Sequence, residues 1–110
     1  MKDLNISKEL IKNVLTKETE NLSDGFTFDI KDNYILFADD GELQFEVNLD
    51  TFARLCKEWA RNKYDVTISS ALYKNFAKTW DISNDRSYKA NTEVETITKA
   101  CNWILENMRK

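Results

Sequence analysis

The sequence predicts an α+β fold in which helices pack on one face of a mostly antiparallel sheet. Three observations carry this prediction. Apolar residues recur at helical spacing near both ends of the 110-residue chain, the period drops to two between Phe26 and Val47, and Asp, Asn and Gly residues punctuate the alternating runs. A chain of this length suits one domain, residues 1–110, because it can bury roughly two thirds of its unfolded surface. Its composition, 42% apolar and 32% charged with intermixed signs, describes a globular chain rather than a disordered one.

From Ser7 to about Asn21, residues Leu10, Ile11, Val14 and Leu15, continued by Leu22, draw one apolar stripe on a helix. Ser7 suits the N-cap, Ile6 and Ile11 suit a hydrophobic staple, and Ser23-Asp24-Gly25 ends the helix. The runs FTFDIK, YILFA and ELQFEVN then predict a three-stranded antiparallel meander. A two-residue turn at Asp32-Asn33 pairs Phe28 with Phe37 and Ile30 with Ile35. A two-residue turn at Asp40-Gly41 would oppose Phe37 to Gln44, so the pattern favours a three-residue connection, Asp39-Asp40-Gly41, pairing Phe37 with Leu43 and Ile35 with Phe45. The expected inner face is Phe26, Phe28, Ile30, Ile35, Phe37, Leu43, Phe45 and Val47.

Helical spacing returns with Phe52, Ala53, Cys56, Trp59 and Ala60, capped by Asn48 or Asp50. Tyr64, Val66 and Ile68 alternate as a fourth strand, while residues 71 to 82 fit helical and alternating spacing equally and stay unassigned. Ser83 to Asn91 is polar and loop-like. Thr92, with Glu95 three residues on, opens a last helix whose stripe is Val94, Ile97, Cys101, Ile104, Leu105 and Met108; Arg109 and Lys110 favour its negative end. The predicted order is helix, meander, helix, strand, unassigned segment, C-terminal helix, without internal repeat.

Absent residue types exclude much chemistry. Without histidine the chain has no Ser-His-Asp or Cys-His nucleophile system and no usual zinc site. With two glycines, both in turns, it has no Gly-rich phosphate cradle. No cofactor, metal site or catalytic residue is expected. No apolar run approaches the roughly 20 residues that cross a bilayer, and MKDLNISKELIK lacks the apolar block of a secretory signal, so a cytoplasmic protein without membrane contact is expected. Cys56 and Cys101 both fall on apolar stripes and away from helix N-termini, which predicts packed thiols rather than a redox pair.

Charge is distributed unevenly. Between Asp24 and Asp50 eight acidic residues face one basic residue, a net of −7, while residues 51 to 110 hold eleven basic and seven acidic, a net of +4. In the expected register Asp29, Glu42 and Glu46 point outward beside Tyr34, Leu36 and Gln44, with Asp39 and Asp40 at the hairpin tip. That face suits a protein partner with a basic surface: the charges steer association and the apolar centre supplies buried area. Trp103 lies about 200° around the last helix from Cys101 and is a further candidate contact. A second copy of the chain is another candidate partner.

Two other classes stay open. A small-ligand or enzymatic domain would work through carboxylates, with Asp29, Glu46 or Asp81 as candidates. A single-stranded nucleic-acid binder would use Lys74, Lys78, Arg86 and Lys89 interleaved with Tyr73, Phe76, Trp80 and Tyr88, although a pI near 5.0 disfavours it.

The segment TEVETITKACNWILENM, residues 92–108, resembles the closing helices of small accessory proteins carried by phages and other mobile elements. The resemblance implies a small non-enzymatic protein that binds a host or defence protein, and it carries over no site residue.

Overall fold

A computed structural model describes residues 6–108. Arg109 and Lys110, which the sequence places at the end of the last helix, lie outside the described residues.

The first helical segment is α1, Lys8–Val14, followed by one turn, α2, Thr16–Thr19. Ser7 caps α1, its Oγ accepting from the Leu10 N–H at 3.0 Å. The single helix expected to reach Asn21 is interrupted at Leu15 (φ −107°, ψ 48°). The Thr16 hydroxyl lies 3.0 Å from both the Lys12 and Asn13 carbonyls, an alternative to the regular ladder that bends helices, and Leu15 stays fully buried.

Strands β1 (Thr27–Lys31), β2 (Tyr34–Asp39) and β3 (Glu42–Asn48) form the expected antiparallel meander, with Phe28 opposite Phe37 and Ile30 opposite Ile35. The second hairpin departs from expectation. Its turn is the two-residue Asp40-Gly41, and a bulge next to Phe37/Ala38 absorbs the odd residue, so that Phe37 meets Phe45, Ile35 meets Val47 and Ala38 meets Leu43. Asp40 (φ 56°) and Gly41 (φ 81°) are both left-handed, the combination a type I′ turn requires and Asp-Gly favours. The bulge sends Leu43, expected inside, to the outer face, where it is 66% exposed. Inside, Phe37 stacks on Phe45 at 4.7 Å between centroids and lies 6.2 Å from Phe26.

Helix α3, Leu49–Tyr64, starts at Asn48, whose Oδ1 accepts from the Asp50 and Thr51 N–H groups. Its buried residues are the predicted stripe with Leu49 added. It runs through Tyr64, which the sequence placed in a strand, and ends at the left-handed Asp65; Val66 is buried in the connection.

A second sheet follows: β4 (Ile68–Leu72), β5 (Ala77–Asp81) and β6 (Arg86–Ala90), paired in order and antiparallel. The unassigned residues 71 to 82 are therefore strand and hairpin, and the stretch expected to be loop contains β6. The apolar alternation is weak here because the inner face of β5 is Ala77, Thr79 and Asp81, all buried, and the Thr79 and Thr96 hydroxyls bond at 2.5 Å. Helix α4, Glu93–Asn107, is capped by Thr92 and lies across this sheet.

The α+β class with helices packed on antiparallel sheet is thus what the chain adopts, with two sheets of three strands among the described residues rather than one. The chain also uses one unit twice, a three-stranded meander followed by an amphipathic helix, a repeat of form that the sequence does not display. Helix α3 packs on α4 and touches both β3 and β4; α1 covers α3 and α4. One apolar cluster runs from Phe37 and Phe52 to Ile97 and Ile104, through a body measuring 41 × 35 × 18 Å.

Candidate partner-binding faces

On β1–β3 directly opposed residues share a face. Three outer rows follow: Thr27, Ala38 and Leu43; Asp29, Leu36 and Glu46; Lys31, Tyr34 and Asn48. The bulge has a consequence for this surface. Leu43 joins Tyr34 (39% exposed) and the half-buried Leu36 and Ala38, so an apolar strip crosses the face from the hairpin tip to the far end of β2. Asp29 and Glu46 flank it on the two edge strands, and both are exposed. Among the described residues no cation pairs with Asp29 or Glu46. The negative charges of the face therefore stand in solvent.

The tip residues divide into two groups. Asp40 and Glu42 are exposed, but Glu42, expected on the outer face, stands opposite Asp39 on the other side of the sheet, because the bulge that turns Leu43 outward turns its neighbour the opposite way. Asp39 is held by its own fold, accepting from the Ser23 hydroxyl and, at 2.8 Å, from the Ser23 N–H. The Ser23 hydroxyl and N–H hold the Asp39 carboxyl below its ordinary value of 3.8, since both bonds favour the charged form. Gln44 is the bulge residue; its Nε2 lies 3.3 Å from the Glu42 carbonyl and ties the bulge to the turn.

Trp103 does not belong to this surface. It is half-buried on α4 beside β6, with the Arg86 guanidinium 4.5 Å from its ring centroid and Arg86 Nε donating to the Tyr88 hydroxyl at 3.0 Å. The stretch predicted as loop is what covers it.

The carboxylate candidates are scattered. Asp29 and Glu46 lie two strands apart on the open face. Asp81 is fully buried, but its oxygens accept from the Asn84 N–H at 3.0 Å and Asn84 Nδ2 at 2.7 Å, an arrangement that closes the β5–β6 loop. A cleft of 630 Å³ is lined by other residues, among them Asn13, Lys63, Tyr64 and Met108. Sequence reasoning missed one polar chain. Lys57 Nζ donates to Ser70 Oγ at 2.7 Å and Ser70 donates to Glu93 Oε2 at 2.7 Å, tying α3, β4 and α4 together. Among the described residues no three His, Cys, Asp or Glu side chains are grouped to hold a metal ion. No described helix is long and apolar enough to cross a membrane.

Cys56 and Cys101, 45 positions apart, meet where α3 crosses α4, with Cys101 Sγ 3.7 Å from the Cys56 carbonyl oxygen. Both are fully buried free thiols. Burial, and then the neighbouring thiol, push the Cys56 thiol well above its ordinary value, opposite to what a reactive thiolate needs.

No protein-family model, curated protein or solved structure matches the chain.

Proposed function

We propose that this chain is a non-catalytic protein-binding module that receives a basic protein on the outer face of its first sheet. One observation carries the reading: the bulge in β3 turns Leu43 outward to complete an apolar strip with Tyr34, Leu36 and Ala38, bordered by the solvent-facing charges of Asp29 and Glu46. Apolar area at the centre gives affinity, and the charged border gives steering and partner choice. Asp40 extends the negative border at the tip. Asp39 contributes to the field while holding Ser23, and Gln44 shapes the bulge. Trp103 belongs to a different surface and is left out of the contact.

The likeness of the last helix to those of phage and mobile-element accessory proteins supports a finer version, in which the partner is a host or defence protein met in the cytoplasm. Affinity capture from the native host with the wild-type chain and with D29K/E46K and L43D tests the reading. Proteins with basic surfaces should be retained by the wild type, elute with salt, and be lost with either variant while both stay folded by circular dichroism. Capture that survives both substitutions overturns it.

A further inference from the structure

We propose that the outer face of the second sheet, β4–β6, binds single-stranded nucleic acid. Alternation along β5 puts Ala77, Thr79 and Asp81 beneath α4 and sends Phe76, Lys78 and Trp80 to the opposite side. The strand register completes that side: Lys89 stands opposite Lys78, and Ser69 and Ser87 stand on either side of Trp80. These small neighbours leave the half-buried indole of the central strand open to solvent.

The cations lie over the rings. Lys78 Nζ is 5.4 Å from the Trp80 ring centroid and Lys89 Nζ is 4.3 Å from that of Phe76. Tyr73, 45% exposed, stacks on Phe76 at 4.9 Å and is followed by the exposed Lys74. Phe76 and Trp80, four residues apart on one strand, stand ~14 Å from each other at ~3.4 Å per residue. Between residues 68 and 90 the two carboxylates are Asp81, buried on the inner side, and Asp85, in the β5–β6 loop. The outer side therefore carries lysines and aromatic rings without an acidic residue on its strands.

The low pI of the whole chain does not oppose this. The acidic excess belongs to residues 24 to 50, which build the first meander, while the segment 68–90 has four basic residues against two acidic ones. Lysines that track phosphates, combined with rings on which unpaired bases stack, are the two components of sequence-tolerant single-strand binding. A duplex hides its base faces from Trp80 and Tyr73, and an acidic peptide would use the lysines but leave the rings idle. The pairing of both features on one side favours the single strand over either.

Fluorescence anisotropy with a labelled oligothymidylate of roughly 12 nucleotides tests the assignment. The expected results are binding at low salt that weakens as salt rises, weaker binding of a duplex of equal length, and no displacement by an oligoglutamate of equal charge. K78E/K89E should weaken binding at least about tenfold and reduce the slope of log affinity against log salt by ~1.4, about 0.7 for each lost phosphate contact. W80L should weaken it about tenfold with the slope unchanged. If K78E/K89E fails to fold, K78Q/K89Q carries the same comparison. Absence of binding at low salt, a duplex bound as tightly, displacement by oligoglutamate, or full affinity in the lysine variants overturns the proposal.

Discussion

The Thr79–Thr96 pair shows how much a single buried proton decides. Thr96 Oγ1 donates to the Glu93 carbonyl at 2.8 Å, so its proton is committed and Thr79 must be the donor in the 2.5 Å bond between them. Replacing Thr96 strands a buried donor; replacing Thr79 strands only a lone pair. T96V is therefore expected to cost ~1–3 kcal/mol and T79V less, with the double variant costing less than the sum, in urea unfolding. Equal costs would reverse the assignment of the proton. Threonines such as these also explain why β5 was hard to identify from sequence. Thr79 and Asp81 read as surface residues, and only the partners supplied by α4 and Asn84 make them interior ones. Asp39 belongs to the same class, since its identity suggests an exposed hairpin charge and only the fold brings Ser23 to it.

At the scale of elements, capping and turn chemistry were legible because they are local. Ser7, Asn48 and Thr92 each cap the helix they precede, and Asp32-Asn33 closes the first hairpin with the predicted register. In the second hairpin apolar pairing alone favours the longer connection, whereas the turn residues favour the shorter one. The tight Asp-Gly turn and the pairing of Phe37 with an apolar partner are compatible once a bulge supplies the missing residue, a device that periodicity does not reveal. Gly41 is where that turn is most sensitive. Nothing lies within 4 Å of a Cβ built there, so G41A should destabilise through its φ of 81° alone, by ~1–2 kcal/mol. D40N should be neutral, since Asn tolerates the left-handed region. Thermal unfolding of both variants checks this, and a neutral G41A would mean the turn relaxes to another type. Strand β6 resembles a loop in sequence for a different reason: its one inward apolar ring is Tyr88, so an edge strand of five residues leaves almost no periodic trace.

For the whole molecule, the two meander–helix units join through α3 and α4, and the cysteines sit at that crossing. Both thiols should resist Ellman's reagent in the folded protein and react together at the rate of unfolding, in stopped-flow mixing with and without denaturant. One cysteine reacting quickly at neutral pH would show that the crossing opens locally. The sequence by itself determined the α+β class, the apolar stripes of α3 and α4, the first hairpin register, the acidic bias of residues 24–50 and the lack of histidine chemistry, because each follows from composition or from contacts within a few residues. Only the tertiary structure decided that there are two sheets, that Leu43 faces out, that Asp81 is buried, that Trp103 lies under Arg86, and that Lys78, Trp80 and Lys89 share a side. Those outcomes depend on bulges, register and neighbours distant in the chain, and a residue's type does not encode which face its strand will turn to the core.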